Sequence, residues 1–225
     1  MFYKETQQIP CYAVKVDCAV PALRLLLEKM LSQWGISPKL PQDKTLQVQA
    51  SPEKQSLCLT PPGGPKETLP FPIRTEELWL ALQPHLYDPP RQHFRVPMRI
   101  RGRLQQTETP EPFLSVSLSD AGVRCEFSRE LPRDSKVTLV IPLGAKSVTL
   151  LGKVIYSVPT RASDSVITGI VFTPHQEETR TLLREFLVEQ TLRHVAQQID
   201  REPFLEALAY FALPDYIRTR LQNPL

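Results

Sequence analysis

Glycine is scarce in this 225-residue chain, at eight residues, against 23 prolines. That ratio excludes a collagen-like repeat, and an apolar content of 41% excludes wholesale disorder. No apolar run approaches the ~20 residues that a membrane-spanning helix needs. The opening stretch, Met1 to Tyr12, lacks the apolar core of a signal peptide, so a cytoplasmic protein is expected. Cys11, Cys18, Cys58 and Cys125 have no CxxC spacing, and the four histidines are scattered; no metal is expected and the thiols read as reduced. A net charge of +3 is too small to announce a nucleic-acid binder. The histidines form no recognisable motif with a Ser or Cys nucleophile. Gly63-Gly64 sits in a proline turn with no helix after it, so it is not a phosphate loop. No enzymatic activity is expected.

What is present is uneven. Twelve of the 23 prolines fall between Pro38 and Pro97. In the first third, Tyr12–Val16 reads as a strand. Leu23, Leu26, Leu27, Met30, Leu31 and Trp34 follow at helical spacing, with Pro21 suited to the first turn and Gly35 to the stop. Short strands are expected at Leu46–Val48 and Leu57–Leu59. A second helix is expected with Thr75 as its cap and Glu76 and Glu77 in the first turn. From Arg91 to Thr173 the pattern changes to strands: Arg95–Leu104, Phe113–Leu118, Gly122–Phe127, Lys136–Pro142, Ser147–Tyr156 and Val166–Phe172, separated by turn-formers. Six short strands in this order predict a small antiparallel barrel. After His175 the chain reads as helices. Val188, Leu192, Val195 and Ile199 run close to a heptad seam, which serves either packing within the chain or a homodimer or partner surface.

Charge gathers at one junction. Arginines stand at 91, 95, 99, 101 and 103, and no Asp or Glu occurs from Pro89 to Thr107. Such a cluster needs acids from elsewhere in the fold or a phosphate-bearing ligand; arginine's fork suits phosphate and the guanine O6/N7 edge. Further on, Ser117-Leu118-Ser119-Asp120-Ala121-Gly122 joins two strands. Its hydroxyls can bond a ligand, and its glycine permits close backbone approach. With Arg91-Gln92-His93-Phe94-Arg95 as an RxxxR motif and Ser117–Gly122 as a [D/N]xSxxG motif, the segment Arg91–Phe172 resembles the PilZ family of small barrels that bind cyclic di-GMP. Leu151–Tyr156 and Gly169–Phe172 look like that family's closing strands.

The resemblance implies that Arg91 and Arg95 hold phosphates and guanine edges, from a linker that orders on binding. It implies that Ser119 bonds the ligand and Gly122 leaves room beside it. Ser117 stands where the family has Asp or Asn, and forgoes a charge-assisted bond of about 1.5–3 kcal/mol. Asp120, His93 and Arg99 are candidate accessory groups.

The first third has a second likeness. Val14–Asp17 and the helix after Pro21 look like the opening of a response-regulator receiver, and Leu69–Leu78 like its closing strand and helix. Phospho-relay chemistry is missing: Asp17 stands alone, Phe71 occupies the lysine position, and Asp43 lies between prolines and a polar stretch.

The expected architecture is α+β. It comprises an α/β domain over 1–87 of degenerate receiver-like type, a Pro/Arg linker over 88–95, a six-stranded antiparallel PilZ-like barrel over 96–174, and helices over 175–225. The expected role is a cyclic di-GMP-binding signalling adaptor that acts on a protein partner. Two alternatives stand beside it: a barrel that binds no nucleotide and serves protein interaction, and a nucleic-acid-binding barrel using Arg99, Arg101 and Arg103.

Overall fold

The start and stop residues read from the sequence bound the first helix. The computed structural model describes residues 13–36, 45–87, 89–105, 110–160 and 165–223. Tyr12, Asp43 and Asp88 lie outside them. Helix α1 (Pro21–Gln33) lies between β1 (Ala13–Cys18) and β2 (Thr45–Ser51). Pro21 sits in its first turn, where a missing N–H breaks no helical bond. At its end Gly35, with φ +78°, donates to Ser32 O (3.0 Å) while Ile36 N–H reaches Leu31 O (2.9 Å), a left-handed cap that favours glycine. The apolar stripe of α1 is fully buried at Leu23, Leu26, Leu27 and Met30.

β1 and β2 run parallel, and α1 supplies the crossover that a parallel pair requires. β3 (Ser56–Thr60) and β4 (Glu67–Pro70) then add antiparallel, in the order β1-β2-β3-β4. Doubly wound receiver sheets are parallel, so the likeness to a receiver reaches no further than the β1-α1-β2 crossover. Helix α2 spans Thr75–Leu86. Thr75 is its first residue rather than its cap: Arg74 precedes it in extended conformation, and the buried Thr75 hydroxyl finds no hydrogen-bond partner. Pro84 lies inside the last turn of α2.

The remaining helices are α3 (Glu177–Ala196), α4 (Arg201–Leu208) and α5 (Asp215–Gln222). The chain divides into two compact units, one of residues up to Phe94 together with those from Val188 onward, the other Arg95–Leu187. In the first unit α4 packs on α1, and Ile73 bridges Phe211, with Ile73 N–H donating to Tyr210 O (2.8 Å). The heptad-like residues Val188, Leu192, Val195 and Ile199 are all buried, so they are covered without a second copy. Glu189, also buried, is held by Arg193 at 2.8 Å and by Arg220 at 3.2 Å. No helix among the described residues is long and apolar enough to cross a membrane.

The second unit is a barrel of antiparallel strands. Its strands are β5 (Arg95–Pro97), β6 (Arg101–Leu104), β7 (Glu111–Ser119), β8 (Gly122–Phe127), β9 (Lys136–Leu143), β10 (Lys146–Pro159) and β11 (Val166–Phe172). The sheet runs β5-β7-β6-β9-β10-β11-β8, and a β7–β8 pairing closes six strands with β5 added beside β7. The stretch Arg95–Leu104, expected as one strand, is therefore two. The Ser115 hydroxyl fills the break, donating to Met98 O (2.6 Å) and accepting from Ile100 N–H (2.7 Å).

Candidate functional site

β5 lays the end of the RxxxR segment directly against the serine motif. Arg95 is opposite Ser119, Val96 opposite Leu118 and Pro97 opposite Ser117. Val96 and Leu118 have no exposed surface and point into the barrel. Arg95 and Ser117, on the alternate face, are half-buried. Arg95 and Ser117, more than twenty positions apart in sequence, thus share one outer face of the sheet.

Three candidate ligand groups also have partners within the fold. Ser119 is fully buried; its hydroxyl donates to Gly122 O (3.0 Å) and accepts from Ala121 N–H (3.3 Å), closing the β7–β8 turn. Gly122 is opposite Val171 on β11, and a Cβ there would lie 2.6 Å from Ile170 O. The glycine admits the neighbouring strand's backbone. Asp120 is 2% exposed and binds Arg184 of α3 at 2.8 Å between Oδ2 and Nε. That carboxylate ties the β7–β8 turn to a helix.

Arg91 lies over the Tyr87 ring, its guanidinium carbon 5.1 Å from the centroid. Burial pushes the Tyr87 hydroxyl pKa above its ordinary value, and the Arg91 charge opposes that shift. Phe94 is buried edge-on to Trp34 and Trp79, with centroids 5.9 and 5.7 Å away, and so anchors the segment within the first unit. His93 is exposed. Arg99 finds an acid elsewhere in the fold, pairing with Glu126 of β8 at 3.3 Å on a largely exposed face. Arg101 and Arg103 are exposed on β6. Among the described residues no group of His, Cys, Asp and Glu is placed to hold a metal ion.

One residue escaped the reading of the sequence. Arg124 stands directly opposite Ser117, on the same outer face. The signal was there: pairing outward from the Asp120-Ala121 turn matches Leu118 with Val123 and Ser117 with Arg124.

Residues 89–189 match the family model described as the PilZ domain, so the resemblance read from Arg91–Phe172 stands. No curated protein matches the chain. Among solved structures, the Bacillus subtilis inhibitor of motility MotI/DgrA is 11% identical with a TM-score of 0.41, and the match covers 66% of this chain and 65% of that one. YcgR of Escherichia coli in complex with c-di-GMP is 14% identical, with a TM-score of 0.41 and coverage of 72% and 80%. The K. pneumonia MrkH–c-di-GMP complex is 12% identical, with a TM-score of 0.42 and coverage of 63% and 72%.

Proposed function

We propose that this chain, with a PilZ domain over residues 89–189, is a cyclic di-GMP effector that catalyses nothing and acts through a protein partner. The observation that carries the reading is the register of β5 on β7, which sets Arg95 and Ser117 on one outer face. Arg95 supplies a forked cation for a phosphate or a guanine edge, and Arg91 of the same segment supplies a second. Ser117 contributes a rotatable hydroxyl. Ser119 and Gly122 act indirectly: the first closes the turn and the second keeps β8 tight on β11, so that the face is held in shape.

The mechanism we propose runs through the segment that bears the arginines. Phosphate charge would draw Arg91 from the Tyr87 ring and hold Arg95 on β7. The segment would order around the ligand, and the first unit would change its orientation and so its surface for a partner. The dinucleotide thereby gains differential contacts in one state only, which is what a ligand needs to shift a population.

A second reading has its own observation in favour. Ser117 lacks the family's acid, and Ser119, Gly122 and Asp120 are engaged in structure, as a barrel serving only protein interaction would have them. Isothermal titration of the full chain with cyclic di-GMP decides between the two. The effector reading expects saturable heat that Arg91→Ala and Arg95→Ala each weaken by about tenfold or more. A wild type that gives no heat at high micromolar ligand supports the interaction module.

A further inference from the structure

The outer face bearing Arg95 and Ser117 continues beyond the two motifs. From β5 to β10, one row of directly opposed residues reads Pro97, Ser117, Arg124, Gly169 and Tyr156. The adjacent row, Val96, Leu118, Val123, Ile170 and Val154, is buried throughout. Opposed residues share a face and neighbouring rows alternate, so the Pro97 row points away from the barrel core. Gly169 has no side chain, and the Tyr156 ring takes up that space. A Cβ at Gly169 would lie 2.3 Å from Tyr156 Cε1 and 2.6 Å from Cζ. The ring therefore rests on the β11 backbone, next to the strand bearing Arg124, a spacing of ~4.8 Å. Arg124 and Tyr156 are each half-buried and keep part of their surface in solvent.

We infer that Arg124 and Tyr156 form a guanine-recognition subsite on the β8–β11–β10 face, in which Tyr156 stacks on a base and Arg124 donates to its O6 and N7. The inference rests on the effector reading above and names how that site selects its base. An Asp or Asn at position 117 would accept from the N1–H and N2 amino group of guanine; a serine cannot do so with charge. Arg124 stands directly across from that serine and offers donors, so the guanine is read through its acceptor edge instead. Adenine presents an amino group where guanine presents O6, and the fork rejects it. Tyr156 brings a ring already placed against the sheet, so little conformational freedom is lost when a base stacks on it.

The test titrates cyclic di-GMP and cyclic di-AMP into the full-length wild type and into Arg124→Ala, Arg124→Lys, Tyr156→Leu and Tyr156→Phe. Melting of each variant is followed by circular dichroism. Arg124→Ala is expected to weaken cyclic di-GMP binding by about tenfold or more. Tyr156→Leu is expected to weaken it by about fivefold or more, and Tyr156→Phe, which keeps the ring, by less than about twofold. Arg124→Lys keeps the charge without the fork, so its preference for cyclic di-GMP over cyclic di-AMP falls. If Arg124→Ala melts early, that preference ratio in Arg124→Lys carries the result. A wild type that binds while Arg124→Lys keeps full selectivity and Tyr156→Leu keeps full affinity overturns the subsite and leaves the effector reading intact. A wild type that binds neither dinucleotide overturns both.

Discussion

Replacing Gly122 by alanine tests whether the motif glycine serves the ligand or the sheet. The added Cβ would lie 2.6 Å from Ile170 O, against 3.4 Å or more for ordinary contact. Either strand must therefore yield by the difference, about 0.8 Å, or the Gly122–Val171 pairing must open. The oxygen is backbone, and β11 is hydrogen-bonded to β8 on one side and β10 on the other. Ile170 itself is 2% exposed, packed in the barrel. Such a strand has little room to move, and inserting a methyl into a packed site costs about 1–3 kcal/mol. For a chain of this size each kcal/mol lowers the melting temperature by about 2–4 °C. Thermal unfolding of Gly122→Ala without ligand, followed by circular dichroism, is expected to show a drop of roughly 2–12 °C. An unchanged melting temperature would refute the close-packing argument, and unchanged melting with lost dinucleotide binding would return the glycine to the ligand.

Other consequences follow from the same geometry. Asp120→Asn removes the charge facing Arg184; because Asp120 is nearly fully buried but Arg184 is over a third exposed, about 1–2 kcal/mol is expected as a shift in urea midpoint. An unshifted midpoint would show the pair to be decorative. The Asp134 carboxyl is held below its ordinary pKa by a hydrogen bond and charge from Lys153, 2.7 Å away. Its folded pKa being depressed, the pair's contribution is present above the ordinary carboxylate range and lost as pH falls through the folded pKa. NMR titration should find Lys153→Met returning Asp134 toward the ordinary value, and no change would remove Lys153 as the cause. Tyr87 has the opposite sign: its raised folded pKa means stability is held below pH ~10 and lost as pH rises from there through the folded value. Arg91→Ala removes the opposing charge, so ultraviolet titration should find the Tyr87 transition moved still higher; a fall would contradict the contact.

The barrel was legible because its strands carry period-two patterns between turn-formers, and because the two motifs fall at strand ends. What escaped notice is tertiary in origin. Ser119 and Gly122 look like ligand groups from their chemical types; only the turn bond to Gly122 O and the approach of Ile170 O reveal the fold's own use of them. Arg99 looked unopposed because its acid, Glu126, lies on another strand. The break between β5 and β6 depends on one inserted hydroxyl, that of Ser115, which no local pattern announces. In the first unit, strand direction is set by pairing rather than propensity, so the parallel β1-α1-β2 opening gave no warning that β3 and β4 would reverse. The C-terminal helices that complete this unit lie far away in sequence, and their seam could equally have served a second copy.

Hydrogen–deuterium exchange of the full chain with and without cyclic di-GMP tests the effector reading most directly, because it locates the ligand as well as detecting it. Peptides covering residues 89–97 and 117–124 are expected to gain protection with ligand, and to lose that gain in Arg95→Ala. No ligand-dependent protection anywhere, or protection confined to peptides outside the β5, β7 and β8 face, would contradict it.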